Sequence, residues 1–148
     1  MLSWKFTTLL LLFSLLFNVV FTSPIEVARI RKKCRGLQVV YPARSGIIYR
    51  DGESQWVMLR SRGIHSDPVI LVNRIRLYYV EPDTENYKVV KTLSTVTKPV
   101  RKGSITNFKI KLSIPKKFEI PGRYFYRIYG MTISGRTCYV DSVKFNIM

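Results

Sequence analysis

The run Phe108-Lys109-Ile110-Lys111-Leu112-Ser113-Ile114 alternates apolar and polar residues without a break. Side chains at a period of two put Phe108, Ile110, Leu112 and Ile114 on one face of a strand and Lys109, Lys111 and Ser113 on the other. The same spacing cannot serve an amphipathic helix, whose apolar residues recur at three and four. Outward from this stretch the pattern repeats. Ile70 to Val80 is the longest run, and from Asn73 it is expected to set Ile75, Leu77 and Tyr79 into a core and Arg74, Arg76 and Tyr78 on a wet face. Tyr124 to Tyr129 follows a Pro121-Gly122 turn. Cys138 to Ile147 is expected to place Tyr139, Asp141, Val143, Phe145 and Ile147 on one face. Leu37 to Tyr41, Ile47 to Tyr49, Trp56 to Leu59 and Tyr87 to Leu93 complete the series, each bounded by Pro, Gly, Asn or Asp. About seven short strands with no helical stretch between them predict an all-β, immunoglobulin-like antiparallel β-sandwich over residues 37–148.

Upstream the grammar changes. Met1 to Lys5 carry one positive charge, Phe6 to Ile25 carry none, and Leu9 to Phe13 with Leu15 to Phe17 form an apolar centre. That is the layout of a signal-peptide helix over residues 1–22, with Val20 and Thr22 at the minus-three and minus-one positions of the cut. An uncleaved anchor is the alternative. The polar Thr7, Thr8, Ser14 and Asn18 weigh against it, and the basic cluster Arg29, Arg31, Lys32, Lys33 and Arg35 is an awkward flank for translocation. Residues 23–36 then read as a basic N-terminal segment, with a dibasic pair at Lys32-Lys33.

The 148 residues fit one domain. Their formal charge of +16 falls only to +15 without the leader, because Lys5 is its one charged residue. Such a field attracts polyanions: nucleic acid, anionic lipid or acidic polysaccharide. Entry into the secretory route disfavours nucleic acid and limits membrane contact to the signal peptide or a peripheral encounter. The two cysteines, Cys34 and Cys138, are expected to form a disulfide in an oxidising compartment, with two buried thiols as the alternative.

Catalytic material is thin. His65 is the single histidine and sits in the turn-rich stretch from Gly63 to Pro68; the nine acids are mostly grouped in turns. Asp141 reads as an acid paired with an arginine rather than a general acid. No catalytic residue, metal or cofactor is expected. The basic residues carry the stronger signal. Arg74, Arg76, Lys109 and Lys111 take the polar sides of their strands, and Arg123 and Arg127 flank Phe125 with Tyr129 beyond. Gathered on one sheet, arginine and tyrosine would grip an anionic or sugar-like ligand by charge-assisted bonds and stacking. The same residues would also suit a merely solubilising face, and lysine also guards sheet edges.

Val39-Val40-Tyr41-Pro42, Gly46, Tyr49, Gly52-Glu53, Val57 and Gly63, with Ile114-Pro115, Pro121-Gly122-Arg123-Tyr124, Arg127 and Cys138-Tyr139-Val140-Asp141-Ser142, form a pattern. It resembles the Ig-like amino-terminal domain of fungal Ser/Thr-rich, GPI-anchored cell-wall proteins, a group that includes yeast proteins implicated in β-1,6-glucan assembly. The resemblance implies a fold and a wall-related setting, and no catalytic residues. Neither a Ser/Thr-rich stalk nor a GPI signal follows the domain here, so soluble secretion is the expectation. Together these lines predict a secreted, non-enzymatic binding protein of the fungal cell wall or extracellular space that recognises an anionic or wall-type polysaccharide. The alternative is a secreted effector or structural protein contacting a host protein or an anionic membrane surface.

Overall fold

β-Branched and aromatic residues at period two leave the backbone no better option than pairing edge to edge, and every regular element among the described residues is a strand. The computed structural model describes residues 32–63 and 66–148. The expected signal peptide, the first part of the basic segment and His65 lie outside the described residues. The strands are β1 (Lys32–Lys33), β2 (Leu37–Tyr41), β3 (Ile48–Tyr49), β4 (Ser54–Ser61), β5 (Val69–Val80) and β6 (Tyr87–Ser94). They continue with β7 (Lys98–Pro99), β8 (Ile105–Lys111), β9 (Gly122–Thr132), β10 (Thr137–Asp141) and β11 (Phe145–Ile147).

They form an eight-stranded and a three-stranded sheet. The small one runs β2-β4-β8, antiparallel throughout. The large one is built on β6-β5-β9-β10, to which β1, β3, β7 and β11 attach. The first, second and fifth main strands thus face the third, sixth and seventh as in immunoglobulin-like sandwiches, while the fourth, β6, pairs with β5 in the large sheet instead of joining the small one as in the seven-stranded constant-type plan. Val57, Leu59, Phe108 and Ile110 from the small sheet and Ile75, Leu77, Tyr124, Tyr126, Ile128 and Phe145 from the large one share one core cluster. The expected all-β sandwich is therefore what the chain forms, in more pieces than about seven, because the two-residue strands β1 and β7 are too short to leave a pattern.

A tyrosine corner braces the turn into β9. Tyr124 donates its hydroxyl hydrogen to the Glu119 carbonyl at 2.6 Å, a bond typical of the start of that strand in this fold. At Gly122, just before it, an added Cβ would lie 2.4 Å from the same carbonyl oxygen, so only glycine fits.

The N-terminal strand crosses between sheets. β1 pairs parallel with β10, β2 joins the small sheet, and β3 returns to pair parallel with β11. The end of the basic segment is thus part of the large sheet. Cys34 and Cys138 are bonded there, their Cα atoms 4.9 Å apart and 104 residues apart in sequence. Gly130, register partner of Cys138, lets β5 approach closely: a Cβ on it would come within 2.8 Å of Val69 and 3.0 Å of the Leu71 carbonyl oxygen.

Three details differ from the sequence reading. Phe108 to Ile114 keeps its alternation, with Leu112 and Ile114 buried, but β8 ends at Lys111 because the ladder moves onto a turn. There Leu112 N–H donates to the Glu53 carbonyl at 2.9 Å and Ile114 N–H to an Asp51 carboxylate oxygen at 2.8 Å. The last run is not one strand. β10 and β11 both pair with β9, but Ser142, Val143 and Lys144 interrupt the ladder, and Ser142 Oγ accepts Tyr126 N–H at 2.9 Å. The break changes the phase, so Phe145 and Ile147 are buried in the core while Tyr139 and Asp141 sit on the outer side with Arg127. Finally, the outer side of β5 is not wholly wet: Tyr78 and Val80 form a second apolar cluster with Phe125.

Candidate functional site

Register decides which basic residues meet. Along β5 and β9, Arg74 faces Tyr129, Arg76 faces Arg127, Tyr78 faces Phe125 and Val80 faces Arg123; β10 then sets Tyr139 beside Tyr129 and Asp141 beside Arg127. Five of the expected binding residues, Arg74, Arg76, Arg123, Arg127 and Tyr129, thereby share the outer face of the large sheet. Lys109 and Lys111 do not. They project from β8, on the outer face of the small sheet, where β4 places Trp56 and Ser54 opposite them. The expected single cluster is therefore two.

At the centre of the large face Arg127 donates from Nε to one oxygen of Asp141 at 2.7 Å and from Nη2 to the other at 2.8 Å. Its guanidinium carbon lies 4.3 Å from the centre of the Tyr139 ring and 4.8 Å from that of Tyr78. The Asp141 bonds raise the affinity of Arg127 for its proton further, against the opposing effect of burial. This is a planar fork held along one edge by a carboxylate, with two rings beside it, so its charge is matched inside the protein. Asp141 is the arginine-paired acid that the sequence suggested.

Arg74 and Arg76 are placed differently. Their guanidinium carbons lie 6.0 and 5.5 Å from the centre of the Tyr129 ring. Among the described residues neither has a carboxylate partner, and Arg76 Nε is buried without a hydrogen-bond acceptor. Tyr129 in turn shares a 2.7 Å hydroxyl–hydroxyl bond with Tyr78, and burial followed by that bond raises its pKa, so the ring stays neutral. Tyr78 stacks on Phe125, Phe125 meets Tyr87 edge-on, and Lys144 reaches the Tyr87 ring. The whole is a strip of aromatic rings with cations laid against it. Alternation alone put Tyr78 on this side; the role of Tyr139 needed the β9–β10 register.

An open cleft of about 670 Å³ lies at one end of the large sheet, lined in part by Tyr79, Glu81, Asp83, Lys88, Phe118 and Glu119. Two of its three acids are engaged. Glu81 pairs with Lys88 and accepts from Thr84, which together hold its pKa below the usual range; Glu119 accepts the Tyr79 hydroxyl at 2.8 Å and thereby raises the Tyr79 pKa. Among the described residues no group of three or more His, Cys, Asp or Glu side chains is arranged to hold a metal ion.

No protein-family model and no curated protein matches the chain. Among solved structures, a variant of the superoxide reductase (neelaredoxin) from Ignicoccus hospitalis is similar with a TM-score of 0.40 and 10% identity, covering 82% of this chain and 86% of that one. Spo0M, the sporulation control protein from Bacillus subtilis, is similar with a TM-score of 0.39 and 13% identity, over 75% of this chain and 47% of its own. Likenesses at that level identify neither a family nor an activity.

Proposed function

We propose that this chain is a secreted, non-enzymatic binding protein that takes an anionic polysaccharide, of the cell-wall or extracellular type, on the outer face of its large sheet. The observation that carries the reading is the pair Arg74 and Arg76. Two guanidinium groups without a carboxylate partner among the described residues lie near one neutral ring, beside a third arginine that is bidentate to Asp141. Arg127 is a positioning residue here, fixing Tyr78 and Tyr139, while Arg74, Arg76 and Arg123 supply charge for carboxylate or sulfate groups, and the rings supply flat apolar surface for sugar. The fungal wall setting rests on the resemblance of the turn and core residues named above.

Binding of the secreted protein to polygalacturonate and to isolated wall glucan at low salt tests this. The acidic polymer is expected to bind, more weakly as salt screens the contact. Arg74→Gln with Arg76→Gln is expected to weaken it about tenfold, as two charge contacts of about 0.7 kcal/mol each suggest. Absence of binding to every polysaccharide at low salt overturns the reading. Sedimentation with anionic but not neutral liposomes would move it to the alternative of a membrane-contacting protein.

A further inference from the structure

We infer that the outer face of the small sheet is a second binding surface for an anionic polysaccharide, so that one molecule bridges two polymer chains. The inference rests on the function proposed for the first face. No acidic residue occurs in β2, β4 or β8. Their outward positions carry Arg60 on β4 and Lys109 and Lys111 on β8, all exposed, and Arg62 just beyond β4 donates to Gln38 on β2 at 2.9 Å. The face is therefore cationic along β4 and β8, and Arg62 brings a further charge to the β2 edge.

It is also not merely polar. Trp56 is 45% exposed and lies opposite Lys109; Ile105 is 47% exposed and lies opposite Arg60. A solubilising surface has no use for an indole in the middle of its lysines, because exposing it costs apolar hydration. An indole flanked by ammonium groups offers a flat platform for a sugar ring with cations at the height of its acidic substituents. Packed sheets lie about 10 Å apart, so a chain on this face and one on the arginine face are separated by the full sandwich, and no side chain reaches both. The occupant is an acidic polymer by charge complementarity, since the strands of this sheet offer three exposed cations and no acid.

Stoichiometry with an oligogalacturonate too short to wrap around the domain tests this by titration calorimetry. The wild type is expected to bind two. Arg60→Gln/Lys109→Gln/Lys111→Gln is expected to bind one, on the other face, and Arg74→Gln/Arg76→Gln/Arg123→Gln also one. A charge-matched control in exposed loops, Arg44→Gln/Arg50→Gln/Arg101→Gln, is expected to keep two. With long polygalacturonate, light scattering from cross-linked complexes is expected to vanish in both face variants and persist in the control. Thermal melts verify folding. As a second readout, the emission of Trp56, with Trp4→Phe wherever the leader is retained, is expected to shift on binding in the wild type and in the arginine-face variant.

A wild-type ratio of one overturns the inference and leaves the first face standing. So does a ratio of two that survives loss of Arg60, Lys109 and Lys111, or one that falls equally in the control. No binding at all takes down the first-face reading and this one with it.

Discussion

On the outer face of the large sheet, cations are built in. Arg127 is bidentate to Asp141 and lies between Tyr78 and Tyr139, and Arg74 and Arg76 lie near Tyr129. On the outer face of the small sheet, Lys109 and Lys111 stand exposed, with no carboxylate paired to either among the described residues, and the nearby aromatic Trp56 is half exposed. Similar charge is thus held in two ways. An arginine stacked and hydrogen-bonded has little conformational freedom left to lose when a ligand arrives, whereas a free lysine must be ordered by the ligand itself. Stability should therefore be coupled to charge on the first face and indifferent to it on the second.

The largest effect that sharpens this contrast is at the disulfide, which pins the crossing N-terminal arm to β10, the strand carrying Tyr139 and Asp141. Cys34→Ser is expected to cost about 2 to 5 kcal/mol in denaturant unfolding, Cys138→Ser the same, and the double variant no more than either. Hydrogen exchange should rise first in residues 138–141 and last in β4. Additive losses in the double variant would contradict a single shared bond.

A smaller effect tests the contrast directly. Asp141→Asn leaves a partly buried guanidinium without its charge partner. The expected loss is about 1 to 2 kcal/mol, between the values for exposed and for buried pairs. Lys109→Ala and Lys111→Ala should each change stability by no more than about 0.5 kcal/mol, as exposed positions do. If the lysine substitutions cost as much as Asp141→Asn in urea unfolding, the two faces are not different in kind.

The smallest effect lies beneath the large sheet. The Tyr124 hydroxyl, in the tyrosine corner, is pushed up to about 12, mainly by burial. A tyrosine whose folded pKa is raised favours the folded state fully below its unfolded pKa of about 10 and loses that advantage as pH rises toward the folded value. Stability is therefore expected to fall between about pH 10 and 12. Tyr124→Phe should cost about 1 kcal/mol at neutral pH, the net value of one hydrogen bond, and should remove part of the alkaline fall. The remainder is shared by Tyr49, Tyr126 and Tyr129, whose pKa values burial also raises, and Tyr79, raised by its bond to Glu119. An unchanged alkaline profile in Tyr124→Phe would show that the corner hydroxyl does not titrate with unfolding.

Much of the sandwich could be read locally. Short β-branched and aromatic runs located the strands around Leu37, Trp56, Ile75, Tyr87, Phe108 and Tyr126, and period-two alternation assigned the inner residues of the Ile75 and Phe108 strands, since a strand's two sides are set by its own geometry. What defeated the reading was non-local. β1 and β7 exist only because a partner strand is there to pair with them. The change of phase at Ser142 depends on the Tyr126 backbone, which offers its N–H to the serine hydroxyl.

By itself the sequence determined the strand content, the inward residues of the two long alternating runs at Ile75 and Phe108, the excess of positive charge and the cysteine pairing, because two cysteines allow a single intrachain bond. An acid next to an arginine was legible for a similar reason: acids are few, and one within a β-rich run needs a partner. Only the tertiary structure decided which basic residues share a surface. Alternation says which side of its own strand a residue takes, but carries no information on the sheet that strand joins. Arg74, Arg76, Arg123 and Arg127 met because β5 pairs with β9, while Lys109 and Lys111 were carried to the opposite side because β8 pairs with β4.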